Sequence, residues 1–98
     1  MDLMAHVVIR GRVQGVGFRA WAEMTALEYG LEGWVRNRRD GSVEVLLAGP
    51  EETVLTMVEA CRQGPPGSRV EVLDQRDGTP DELALRRRGE LFSVLATA

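Results

Sequence analysis

Hydrophobic positions along the chain switch between a period of two and a period of about four, and the switches mark its elements. Residues 6–13, His-Val-Val-Ile-Arg-Gly-Arg-Val, place Val7 and Ile9 on one face and Arg10 and Arg12 on the other. Successive strand side chains point to opposite faces, so this pattern predicts a strand. His6 then falls on its polar surface. Gln14-Gly15-Val16-Gly17 is too glycine-rich for a helix interior and predicts a loop. From Phe18 the period lengthens. Phe18, Ala22, Ala26 and Tyr29 recur at spacings of four, four and three, one stripe of a helix over 18–29, with Gly30 as its C-terminal cap.

Residues 31–37 read as a second strand. The Asp40-Gly41 pair within 38–42 signals a hairpin turn, and 43–48 follows as a third strand with Val43, Val45 and Leu47 facing inward. A second helix opens at 49–52, where Glu51 and Glu52 suit the positive end of its dipole. Val54, Met57, Val58 and Cys61 form its apolar stripe, and Gly64-Pro65-Pro66-Gly67 stops it. Residues 68–74 predict a fourth strand. Residues 75–90 are polar and predict a loop or excursion, with Arg86-Arg87-Arg88 as a solvated run. Residues 91–95 predict a last strand, Phe92 and Val94 on one face. The order β-α-β-β-α-β, with the final strand open to being split in two, is that of an α+β, ferredoxin-like split βαβ sandwich. Two helices would cover one face of an antiparallel sheet. No linker or repeat divides the chain, so 1–98 reads as a single domain.

Composition narrows what such a domain can do. At 98 residues, 44% hydrophobic and 28% charged, it is an ordinary globular chain. It has no apolar run long enough to span a membrane and no signal-peptide pattern at Met1-Asp2-Leu3-Met4; a cytoplasmic protein is expected. The single Cys61 and single His6 exclude an internal disulfide and a four-ligand zinc site of the usual type. Cys61, on an apolar stripe, reads as a buried small hydrophobe. All 12 basic residues are arginine, which excludes lysine Schiff-base chemistry and a lysine-dependent Walker loop. The net charge of −3 argues against general nucleic-acid binding. That charge is uneven. Residues 1–42 carry six Arg against five acids, and 43–98 carry six against ten, so the first half can hold a local anion site.

The segment for such a site is Gly11-Arg12-Val13-Gln14-Gly15-Val16-Gly17-Phe18-Arg19. It runs from a strand through a glycine loop into a helix start. Glycines allow successive N–H groups to point into one concavity. The helix terminus adds unpaired donors and a positive partial charge. Arg19, in the first turn, has a donor fork that can pair two phosphate oxygens. The same segment could equally be a tight connection. A second group, Gly33-Trp34-Val35-Arg36-Asn37, ends the second strand near that loop. The Asn37 amide both donates and accepts and could orient a water. It could also simply begin the hairpin turn.

The first of these segments resembles the acylphosphatase signature Gly-x-Val-Gln-Gly-Val-x-Phe-Arg, matched at every fixed position. Gly33-Trp34-Val35-Arg36-Asn37, with Gly41, Val43 and Gly49 following, resembles the second signature of that family. The likeness covers about residues 5–95. It departs at the end, Leu-Phe-Ser-Val-Leu-Ala-Thr-Ala, which leaves the packing of the last strand open. The resemblance implies an enzyme that hydrolyses the carboxyl–phosphate bond of acyl phosphates. The backbone N–H groups of Gln14, Gly15, Val16, Gly17, Phe18 and Arg19 would cradle the phosphate. Arg19 would clamp it and Asn37 would position the attacking water. No metal, organic cofactor or covalent phosphoenzyme is implied. The partners would be a small-molecule acyl phosphate and product phosphate, with no nucleic acid or membrane, and a monomer is the expectation. No side-chain base is evident near the loop, so the substrate's own phosphate oxygen is the expected proton acceptor. Two alternatives share the topology: a non-catalytic phosphate-binding or maturation module, and an RNA-recognition domain. The latter stacks bases on sheet aromatics, which the first and third strands lack.

Overall fold

The computed structural model describes residues 1–98. Its elements are β1 (Asp2–Arg12), α1 (Phe18–Glu28), β2 (Glu32–Asn37), β3 (Val43–Pro50), α2 (Glu51–Gln63), β4 (Arg69–Asp77), α3 (Pro80–Leu83) and β5 (Phe92–Val94). They form one sheet in the order β4-β1-β3-β2-β5. The first four strands make the expected antiparallel sheet. β5 adds the only parallel pair, Gly33 beside Phe92 and Val35 beside Val94. Beyond it the chain keeps following β2, with Leu95 N–H donating to Val35 O at 2.9 Å and Ala98 N–H to Asn37 O at 3.0 Å. The terminal segment therefore packs along the edge that carries Asn37. No helix is long and apolar enough to cross a membrane.

The period-two pattern decides which face the helices cover. Ala5, Val7 and Ile9 of β1, Val35 of β2, and Val43, Val45 and Leu47 of β3 all enter one core. Phe18, Ala22 and Ala26 of α1 pack onto it, together with Val54, Met57, Val58 and Cys61 of α2. Burial pushes the Cys61 thiol up to about 12, as befits a packing residue rather than a nucleophile. Tyr29 leaves the expected stripe. It caps α1 at its C-terminus and is 39% exposed, while the next turn buries Leu31 in its place.

The opposite face differs most from the expectation. His6 is not a surface residue but 5% exposed, its Nε2 2.6 Å from Glu44 Oε2. Arg36 Nε donates to the other Glu44 oxygen at 2.6 Å, and its guanidinium lies 4.7 Å from the Trp34 ring centre. Burial opposes ionisation of Glu44, but the bonds from Arg36 and His6 outweigh it and hold the carboxyl below its ordinary value. The cover is α3, within the stretch expected to be a loop: Trp34 Nε1–H donates to Glu82 O at 2.7 Å. Thr79 and Glu82 form a reciprocal capping box with Pro80 in the first turn. β4 also runs to Asp77, three residues beyond its predicted end. Of the three arginines expected to be solvated, Arg87 and Arg88 are exposed. Arg86 instead donates to Glu32 at 2.9 Å and to Leu91 O at 3.1 Å.

Candidate active site

Five residues, 13–17, carry the chain from the end of β1 to the start of α1. Val13 (1% exposed) and Phe18 (2%) pin the two ends of this loop into the core. Phe18 also meets Trp21 edge-on, ring centres 5.3 Å apart. Between the anchors the backbone twice enters the left-handed region, at Gly15 (φ 73°) and Gly17 (φ 79°). A Cβ at either position would meet no atom within 4 Å. The backbone conformation, not space, is therefore what selects glycine here.

The same conformation leaves the helix start open. Gly17 is the N-cap, no side chain caps it, and no acid occupies the first turn. The first helical bond is Trp21 N–H to Gly17 O at 3.0 Å, so the N–H groups of Phe18, Arg19 and Ala20 have no acceptor within the helix. A cleft of about 420 Å³ opens at this terminus. Of the expected residues, Gln14, Gly15, Gly17, Phe18, Arg19 and Asn37 line it. Val16 does not; its side chain packs against the edge of the core, leaving only its backbone for a ligand.

Gln14 and Asn37 explain how loop and hairpin come together. The Gln14 side chain is held by the hairpin. Its Nε2 donates to Arg38 O and Ser42 O, both at 2.8 Å, and ties the loop to the β2–β3 turn. Asn37 ends β2, and its backbone pairs with Val43. The turn is closed elsewhere: Asp40 Oδ1 accepts from Ser42 N–H at 2.9 Å and from Ser42 Oγ–H at 2.6 Å. These two bonds, with a contact from Arg10, hold the Asp40 carboxyl well below the usual carboxylate range. With Asp40 forming the turn, the Asn37 amide has no side-chain partner within the chain and borders the cleft.

Arg19 is exposed, and no carboxylate pairs with it. The concavity thus gathers open backbone donors, a free guanidinium and a free amide, an arrangement suited to an anion with a water beside it. One lining residue escaped the sequence reading. Glu23, one helical turn beyond Arg19, is half-buried in the same cleft with Ala20 and Val94. Its i, i+4 spacing from Arg19 was the available signal.

A family model described as Acylphosphatase matches residues 5–85. The chain is similar to an acylphosphatase of Bradyrhizobium diazoefficiens, 63% identical over 92 residues, covering 94% of this chain and 93% of the relative. Among solved structures it is similar to acylphosphatase from Bacillus subtilis, 38% identical with a TM-score of 0.81, covering 97% and 99% of the two chains. An acylphosphatase structure from Coxiella burnetii is 29% identical with a TM-score of 0.82, covering 96% and 93%.

Proposed function

We propose that this chain, which belongs to the acylphosphatase family and hydrolyses the carboxyl–phosphate anhydride bond of acyl phosphates, holds the phosphoryl group in loop 13–19 and activates water through Asn37. The backbone N–H groups of Gln14 to Arg19 and the Arg19 guanidinium surround the phosphate oxygens, where charge must be stabilised during transfer. The Asn37 amide accepts a hydrogen bond from a water and holds its oxygen in line with phosphorus. The water oxygen bonds to phosphorus as the phosphorus–acyl oxygen bond breaks, and the carboxylate leaves with the bonding pair. The water's proton passes to a phosphate oxygen, giving inorganic phosphate. A carboxylate is a good leaving group, so positioning and electrostatics suffice without a strong base. Glu23 stands on the helix wall rather than on β2 with Asn37, and the water's proton is not assigned to it.

The observation that carries this reading is the meeting of the open helix terminus, the unpaired Arg19 and the unbonded Asn37 amide in one cleft. All of these groups come from one chain. That supports our proposal of a single domain, 1–98, working as a monomer; we further propose that it acts in the cytoplasm and with no cofactor.

Titration with inorganic phosphate, followed by amide NMR, separates the two side chains. Arg19→Ala should weaken phosphate binding and lower kcat/KM by about 10²–10³, the scale of one aimed donor. Asn37→Ala should keep phosphate affinity and lose turnover. An Asn37→Ala enzyme that kept its rate and lost phosphate affinity would reverse the assignment.

A further inference from the structure

We propose that Glu23 sets the charge preference for the acyl group, so that the enzyme favours acyl phosphates whose acyl end is neutral or cationic over those carrying a carboxylate. This rests on the reading of the cleft just given. Of the residues lining the cleft, two carry a full charge, Arg19 and Glu23. With phosphate bound, Arg19 is committed to the phosphate oxygens. Glu23 lies one turn further along α1, on the same side of the helix as Arg19. Neither of them enters an ion pair.

The rest of that wall offers no charge to offset it. Ala20 ends at its Cβ, and Val94 of β5 contributes an apolar flank. This wall of the cleft is therefore uncharged except for one half-buried carboxylate. An acyl chain leaving the phosphate toward this wall meets Glu23. A second carboxylate there is repelled in the ground state and in the transition state alike, which discriminates by exclusion rather than by a new attraction. For like charges about 7 Å apart at a protein surface, the repulsion corresponds to about a five- to fiftyfold preference at low salt.

Butyryl phosphate and succinyl phosphate test this, because their acyl groups differ by a methyl against a carboxylate at nearly equal length. The kcat/KM of both substrates is measured at low and at high salt in the parent, in Glu23→Gln and in Glu23→Lys. The parent should prefer butyryl phosphate, and added salt should shrink the preference. Glu23→Gln should move the succinyl-to-butyryl ratio up by about five- to fiftyfold, and Glu23→Lys should move it further. An active parent whose ratio is the same in both variants overturns the assignment. So does a parallel fall of both rates with the ratio preserved, which would mark Glu23 as part of the chemistry. A folded parent that hydrolyses neither substrate refutes the reading of the cleft itself, and this proposal with it.

Discussion

Replacing Gln14 by glutamate keeps the shape of the side chain and removes its two N–H donors. That amide is the direct tie between the loop and the hairpin carrying Asn37, donating to Arg38 O and Ser42 O. Both acceptors are carbonyl oxygens, so the amide faces them with its nitrogen and not with its oxygen. A bond of this kind contributes about 0.5–1.5 kcal/mol net. Each carbonyl also keeps a backbone donor, Arg38 O from Gly41 and Ser42 O from Arg38, so truncation orphans neither. Gln14→Ala should therefore cost about 1–2 kcal/mol, or about 5–15 °C in Tm for a domain of this size. Gln14→Glu should cost about 1–3 kcal/mol more at neutral pH, because an acceptor-only carboxylate then faces two carbonyls. Protonation restores one donor. The folded-state pKa of the new glutamate is thus raised, and its penalty shrinks as the pH falls. Urea denaturation at pH 7 and pH 5 reads the stability, and hydrolysis of benzoyl phosphate reads the site. The expected order at pH 7 is parent, alanine, glutamate, with the last gap narrowing at pH 5. Activity should fall about tenfold or more in both variants, since small displacements between Asn37 and the loop are costly. A Gln14→Glu protein as stable as the parent at pH 7 would refute the tie.

Further outcomes follow from other residues. Gly15→Ala forces a Cβ into a left-handed conformation with open space around it. It should lose about 1–2 kcal/mol of stability and most of the rise in Tm that inorganic phosphate gives the parent; an undiminished rise would contradict the cradle. Glu82 is held down to about 2, chiefly by its hydrogen bonds from Arg76 and despite burial. A depressed carboxyl stabilises fully above its ordinary value of 4.5 and loses that contribution as the pH falls toward 2. Glu82→Gln should therefore flatten the decline of Tm across that window, and an unchanged decline would show that the Arg76–Glu82 pair adds nothing to stability. The Cys61 thiol, buried and pushed up to about 12, should resist alkylation in the native protein and react on unfolding; rapid modification of the native state would contradict its burial.

The helix-covered half of the fold and the anion loop could be read from sequence because each rests on short-range signals. Alternation at Val7 and Ile9, the stripe from Phe18 to Ala26, and glycines flanking Val16 are all local. The second sheet face could not be read that way. Alternation leaves His6, Trp34 and Glu44 on the side away from the helices, and nothing local says that this side is covered. Its cover depends on a long-range contact, the Trp34 indole reaching Glu82. The cover did carry a local sign, since Thr79-Pro80-Asp81-Glu82 is a capping box with proline in the first turn. It was obscured by the polar run around it. β4 reads short in the sequence because Gln75, Arg76 and Asp77 at its end are all exposed on an edge strand, so no buried position imposes alternation there. Glu23 carries no such burial signal, because it lies off the buried α1 stripe of Phe18, Ala22 and Ala26.

The most direct test of the mechanism is benzoyl phosphate hydrolysis in ¹⁸O-labelled water, corrected for the spontaneous reaction. Attack on phosphorus by a water held at Asn37 puts one labelled oxygen into inorganic phosphate and none into benzoate, and Asn37→Ala lowers the rate of that labelling. Label recovered in benzoate would place the attack at the carbonyl carbon, and the roles assigned to the loop, Arg19 and Asn37 would fall together.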